Sequence, residues 1–366
     1  MASLPETEYQ PDLFVHPGAH LQELLEEQGM TQVELSRRTG RPIKTINEII
    51  KGRVSITTET ALQLERVFGI PAHFWVNLEK NYREYLARRK ESQRLKKEVG
   101  WLKQLPIKEM VKWGWIQKRD TDEDQVDELL NFFGVTSEKT WSDVYSVPQS
   151  AYRISTSFEV DELALAVWLR QGELEAMEIE CNPYNRDTFT RVLNEIRKQT
   201  VHPPEMYQEK VKELCATAGV ATVFIPELPN TKVSGATRWL SPHKALIQLS
   251  LRYKADDHLW FTFFHEAGHI LRHGKKEVFV DGIDRGTKEP GKLEEEADRF
   301  ASSFLIPDEQ YKAFITAEDF SCSKVRRFAE ELEIAPGIVV GRLQHDGYLA
   351  FNECNSLKQR LRWVEA

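Results

Sequence analysis

From residue 19 to residue 87 apolar side chains recur at helical spacing, with a turn residue closing each stretch. Leu21, Leu24 and Leu25 run up to Gly29, and Thr31 can cap a second stretch, with Val33 and Leu35, that stops at Gly40. Pro42 suits the first turn of a third helix, RPIKTINEII, which Gly52 closes. Thr57 or Thr58 opens a fourth with Ala61, Leu62, Leu64 and Val67, ended by Gly69. Pro71 begins a fifth, with Phe74, Trp75, Leu78, Tyr82 and Leu86 along one stripe. Residues 88–98, RRKESQRLKKE, carry six basic side chains and few apolar ones, as a linker or solvated helix face would.

Residues 99–219 keep a helical pattern, as in Phe189, Val192, Leu193 and Ile196, and then Val211 and Leu214 before Gly219. At Val220 the period changes. VATVFIP, VSGATRWL and KALIQLSLRY read as three short strands, the last two joined near Ser241-Pro242. A helix, HLWFTFFHEAGHILRHG, follows directly, and residues 292–306 form another that stops at Pro307. VRRFAEELEI and GIVVGRLQHDGY are helix-like stretches of the tail. The expected organisation is multidomain: an all-α domain over 16–87, a helical connector over 88–194, an α+β domain over 195–310 and a helical tail over 311–366.

The 366 residues are 41% hydrophobic, enough for sizeable cores. A net charge of −8 argues against a protein that coats nucleic acid, but the first hundred residues are net +1 and their basic charge is clustered. The four cysteines, Cys181, Cys215, Cys322 and Cys354, include no Cys-x-x-Cys pair, and read as buried free thiols in a reducing cytosol. The acidic start, MASLPETEYQPD, has no signal-peptide features, and no apolar run is long enough to span a bilayer. A cytoplasmic protein is expected.

Within the apolar helix stands His265-Glu266-Ala267-Gly268-His269, an H-E-x-x-H. On a helix, positions i and i+4 share a face, so two imidazoles can grip one Zn2+ while the intervening Glu266 acts on its water. A catalytic zinc needs a third protein ligand. His273 lies two turns, ~12 Å, along the axis from His265, and so reads as a supporting or helix-end histidine rather than a ligand. The helix LEEEADRFASSFLIP offers Glu294 as ligand and Asp298 to orient a ligand imidazole. Glu295 and Glu296 read as solvated surface; Ala297, Phe300, Ala301 and Phe304 supply a packing face.

HEAGHILRH, followed by EEEADRFASSFLIP and preceded by KALIQLSLRY, resembles the ImmA/IrrE family of metallopeptidases over residues 195–310. The resemblance implies a zincin-like fold, His265, His269 and Glu294 as zinc ligands, Glu266 as general base, and cleavage of a partner repressor. An oxyanion donor is also needed, for which His243, Tyr253, His258 and His345 stand equal. The strand Lys244–Tyr253 either is an ordinary sheet strand or pairs with an extended substrate.

Residues 31–52 have helix-turn-helix proportions, and between Arg37 and Arg53 six basic residues, Arg37, Arg38, Arg41, Lys44, Lys51 and Arg53, stand against one acid, Glu48. The opening HPG, then TQVEL, IKGR, ITTETALQL and FWVNL resemble the XRE family, a lambda-repressor-like fold, particularly its HigA antitoxin branch, over residues 16–85. The resemblance places Gln32 on phosphate and Lys44, Thr45 and Glu48 where base edges are read, with Asn47 beside them and Ile43 able to touch a thymine methyl. Arg41, Lys51 and Arg53 add phosphate-binding charge. It implies a homodimer on a double-stranded operator. Together these readings give a DNA-binding regulator with a zinc peptidase that acts on a partner or on itself. A non-enzymatic antitoxin or repressor, its peptidase-like domain a sensor or toxin-binding scaffold, stays open. The stretch RRFAEELEIAPGIVVGRLQHDGYL also looks like a helix-turn-helix but reads as packing.

Overall fold

The computed structural model describes residues 15–145, 161–275, 279–281 and 291–364. The acidic start, with its lack of signal-peptide features, lies outside them. The chain forms two compact units that divide after Glu98.

Among the described residues the first unit is five helices: α1 (Pro17–Glu27), α2 (Gln32–Thr39), α3 (Ile43–Ile50), α4 (Thr58–Phe68) and α5 (Ala72–Glu98). Capping follows the sequence signals: the Thr31 hydroxyl accepts the Glu34 N–H and that of Thr57 accepts the Thr60 N–H, both at 3.2 Å. Leu21, Leu35, Ile46, Ile49, Leu64 and Trp75 fill the core. The HPG opening both caps α1 and lets it pack. His16 Nδ1 accepts the Gly18 N–H at 2.8 Å, and a Cβ at Gly18 would lie 2.1 Å from the Ile49 carbonyl oxygen, so only glycine lets α1 approach α3 this closely. The basic run after residue 88 continues α5 as an exposed face laced with pairs such as Arg88–Glu84 at 2.8 Å, so the boundary expected at residue 88 falls inside a helix.

The second unit starts with a 3₁₀ segment (Val99–Gln104) and the helices α6 (Ile107–Lys112), α7 (Asp122–Phe133), α8 (Glu138–Tyr145), α9 (Glu162–Glu178), α10 (Arg186–Gln199) and α11 (Pro204–Thr217). There follow β1 (Val220–Phe224), β2 (Gly235–Ser241), β3 (Lys244–Leu249), α12 (Asp256–Arg272), β4 (Phe279–Asp281), α13 (Lys292–Leu305), α14 (Asp308–Thr316), α15 (Cys322–Glu331) and α16 (Pro336–His345). The sheet order is β1-β3-β2-β4; β3 runs parallel to β1 and antiparallel to β2. Both edges of β3 are therefore paired, so it cannot take a substrate strand and is an ordinary sheet strand. β4, three residues long, is too short to show a period, and α14 also lies outside the helices that the pattern predicts.

Alternate residues of β3 serve two faces. Ala245, Ile247 and Leu249 join the apolar core with Phe263 and Phe264 of α12. On the other face Gln248 donates to the Trp168 carbonyl at 2.7 Å, and the Trp168 indole donates to the Ile225 carbonyl at 3.1 Å. A Cβ at Gly172 would overlap Gln248. So α9, which the sequence pattern assigns to a connector, is a layer of the sheet domain. The tail belongs to the same core, with Val325 and Phe328 of α15 and Ile338 and Val339 of α16 buried in it. The helix-turn-helix look of this stretch is thus packing.

One expectation about the cysteines is corrected. Cys322 and Cys354 form a disulfide, and only Cys181 and Cys215 are free. The fold brings the start of α15 beside the loop after α16, with the two Cα atoms 5.5 Å apart, a proximity that a spacing of 32 residues does not reveal.

Candidate metal centre and nucleic-acid face

α12 is buried along most of its length because it lies between the sheet, α13 and α16. Gly268 permits the closest approach: a Cβ there would sit 3.3 Å from Ala297 Cα and 3.0 Å from the Phe300 ring. That approach brings Glu294 of α13 over the two histidines of α12. His265 Nε2 and His269 Nε2 are 3.0 Å apart, and Glu294 Oε2 lies 3.2 Å from the first and 3.5 Å from the second. A tetrahedral centre with metal–ligand bonds of ~2.0–2.1 Å has ligand atoms ~3.3 Å apart. The three buried atoms fit a zinc ion in both spacing and donor type.

The backs of both rings are engaged. His265 Nδ1 meets Asp298 Oδ1 at 2.8 Å, and His269 Nδ1 meets His273 Nδ1 at 2.8 Å. His273 caps the end of α12, and its Nε2 lies 3.4 Å from Glu296 Oε2. Glu296 is therefore not the plain solvated residue expected, although Glu295 is exposed. Phe279 of β4, an element without sequence signal, stacks on the His269 ring at 3.8 Å. Burial pushes His269 down to about 4, so its imidazole is neutral near pH 7. Burial would raise Glu294, but hydrogen bonding to His265 and His269 outweighs it and holds the carboxylate well below its usual range.

Glu266 is fully buried next to His265. A Cβ on Gly235, the first residue of β2, would stand 2.8 Å from Glu266 Oε1 and 2.5 Å from Thr262 Cγ2. Gly235 thus sets the wall behind the carboxylate. An isolated glycine in a strand pattern is a signal of close approach that the sequence did offer.

In the first unit, Gly40 with φ 69° makes the turn from α2 to α3. Ile46 and Ile49 point into the core, while Ile43 is 47% exposed at the start of α3. Lys44, Lys51 and Arg53 are exposed; Gln32, Thr45, Asn47 and Glu48 are half-buried. Gln32 reaches Gln22 at 3.5 Å. Arg38 pairs with Glu34 at 2.8 Å, Arg41 with Glu59 at 3.4 Å and Arg53 with Glu48 at 3.5 Å, so three of the six basic side chains are partly neutralised within the domain.

Family models match this chain in both units: "Helix-turn-helix" over residues 21–75 and "IrrE N-terminal-like domain" over residues 216–344. The chain joins an XRE-type helix-turn-helix domain to an IrrE-like domain. A curated relative, virulence-associated protein I of Dichelobacter nodosus, is 36% identical over 69 residues, 19% of this chain, which spans 64% of that protein's length. Among solved structures, an addiction module antidote protein of the HigA family from Coxiella burnetii is 34% identical, with 23% of this chain and 92% of that one covered and a TM-score of 0.21. Pseudomonas aeruginosa antitoxin HigA with the higBA promoter is 29% identical, with 24% and 95% covered and a TM-score of 0.22.

The IrrE-like match runs through α16, beyond residue 310 where the sequence pattern ends this domain. Its cavity of about 310 Å³ is lined by Tyr253, His258, Phe261, Thr262, Asp298 and His345, among others. Three of the four oxyanion candidates thus line one cavity, where the Tyr253 and His258 rings stack at 4.1 Å. His243 does not. It sits in the β2–β3 turn, past the far end of the seven-residue β2 that begins at Gly235, ~20 Å along the strand. No helix among the described residues is long and apolar enough to cross a membrane.

Proposed function

We propose that this chain is a DNA-binding regulator of the XRE type whose IrrE-like domain is a zinc-dependent peptidase acting on a partner protein or on itself. The observation that carries the enzymatic half is the convergence of His265, His269 and Glu294 around one buried point with Glu266 adjacent. Such a cluster of buried polar groups is costly without a ligand, and three donors leave a tetrahedral site one open position. His265 and His269 would hold the ion through Nε2 and Glu294 through Oε2. Zinc, when bound, supplies Lewis-acid polarisation of a water and of the scissile carbonyl. Glu266 takes the proton of the attacking water on its carboxylate and hands it to the leaving amine nitrogen. The Gly235 wall keeps that carboxylate from turning away, and Asp298 keeps the His265 ring aligned.

For DNA, the N-terminal turn of α3 presents Ile43 and Lys44 to a major groove, with Thr45, Asn47 and Glu48 beside them; Gln32, Arg41, Lys51 and Arg53 serve the phosphates. The helix-turn-helix match supports operator DNA as the partner, and a homodimer is the form that would read two half-sites one helical turn apart. The cytoplasm is the compartment this reading requires.

Glu266→Gln tests the enzymatic half. The variant keeps side-chain volume and the three ligands, and cleavage should fall ~10²–10⁴-fold, because amide nitrogen cannot accept the proton. Comparing proteins cut in a wild-type strain with those that accumulate intact in the variant strain is the measurement. Repression retained with no cut product in either strain would replace the peptidase by a sensor or toxin-binding scaffold.

A further inference from the structure

The two histidines of the metal centre are held from behind by different devices. Asp298 reaches His265 directly, at 2.8 Å. Behind His269 stands a second imidazole, His273, whose Nδ1 is 2.8 Å from His269 Nδ1 and whose Nε2 is 3.4 Å from Glu296 Oε2. Contact between two ring nitrogens is a hydrogen bond only if one carries a proton and the other a lone pair. To ligate through Nε2, a neutral His269 must carry its proton on Nδ1, and His273 must accept it. A neutral His273 then carries its own proton on Nε2, the atom facing Glu296. The carboxylate accepts but cannot donate, so it selects this tautomer of His273 and, through it, the ligating tautomer of His269.

We propose that Glu296 is a positioning residue for the metal centre, acting through His273 to keep the His269 Nε2 lone pair available. This rests on the zinc-site reading above. Burial along the relay suits such a role, since His273 is buried while Glu296 is partly exposed, so the proton-accepting end of the chain reaches solvent and the ligating end does not. Phe279 lies against both rings, stacked on His269 at 3.8 Å and tilted over His273 at 5.3 Å, and limits their rotation. Two other charges provide internal controls: Lys292, 3.9 Å from Glu296, and Glu295, exposed on the same helix.

The test is zinc affinity of the full-length chain, measured by competition with a chromogenic chelator, with no substrate needed. Loss of an outer-shell partner costs ~10–100-fold in metal affinity. Glu296→Ala should lie near ~10-fold, at the lower end because it acts at one remove. Glu296→Gln keeps an acceptor oxygen and should restore most of the affinity. Glu295→Ala and Lys292→Ala should match wild type. In a His273→Asn background, where the relay is cut, Glu296→Ala should have no further effect. Wild-type affinity in Glu296→Ala, an equal loss in Glu295→Ala, or the full loss retained in the His273→Asn background would each overturn the relay while leaving the zinc site standing. A wild-type chain that binds no zinc would overturn both.

Discussion

In the N-terminal unit the side chains taken out of water are Leu21, Leu35, Ile46, Ile49, Leu64 and Trp75, and charged residues of its proposed DNA face, Lys44, Lys51 and Arg53, stay exposed. Its buried acid, Glu79, is fully engaged, accepting the Ile56 N–H at 3.0 Å and the Arg83 guanidinium at 2.7 Å. α12 buries polar groups in its interior instead: His265, Glu266 and His269 lie among Phe263, Phe264 and Trp260. The same helix buries Asp256, which accepts the Gln359 N–H at 3.0 Å, and Asp257, which pairs with Lys358 at 2.6 Å. The contrast separates two ways for a helix to carry function. A surface reader leaves its core free to be ordinary, and its chemistry can be changed without loss of fold. An interior site puts polar groups where they oppose folding unless something binds them. The helical unit should therefore gain stability from its interior, and α12 should give some up.

That contrast can be broken by mutation. The largest expected effect is in the helical core: Leu64→Ala should destabilise the first unit by ~2–5 kcal/mol, read by chemical denaturation, while zinc content per folded chain stays unchanged. A loss below about 1 kcal/mol would mean the unit is not held by its apolar interior. Next come the surface readers. Lys44→Ala should lose ~1–3 kcal/mol of discrimination at one operator position, whereas Gln32→Ala should weaken all sequences about equally, in titrations of the protein's own promoter at two salt concentrations. Neither variant should shift the melting temperature noticeably. Unchanged binding in both would remove the DNA reading. The smallest effect, and of opposite sign, is expected in α12: Glu266→Gln removes a buried acid, so the metal-free variant should melt at or slightly above the wild-type Tm. A clear drop in Tm would show that Glu266 is there for the fold.

Legibility in the sequence follows the same division. The first unit is readable element by element, because its signals are local: Thr31 and Thr57 cap, Gly40 and Gly69 stop, and leucines repeat at helical spacing. The H-E-x-x-H face is local too, since i and i+4 on one helix fix His265 beside His269. Glu294 and Asp298 stand out in the second helix only as a pair at the right spacing. What the sequence leaves out depends on contacts distant along the chain. Phe279 on His269 and Glu296 on His273 join residues from different elements, and so does Gly235 against Glu266, where the lone strand glycine marks a close approach but not its partner. The Cys322–Cys354 bond and the attachment of α9 to the sheet are of the same kind, set by tertiary packing rather than by period. KALIQLSLRY reads equally well as a docking edge or an inner strand, because pairing on both sides of β3 is a property of the sheet and leaves no mark on the strand itself.

The central claim is that α12 and α13 were brought together to hold a metal. Metal analysis of the purified full-length chain tests it most directly, with wild type beside Glu266→Gln, His265→Ala and Glu294→Ala. About one zinc per chain is expected in the first two, because Glu266 is no ligand, and a loss of most of it in the other two, because each removes one of three protein donors. Equal zinc in all four, or none in the wild type, would contradict the account.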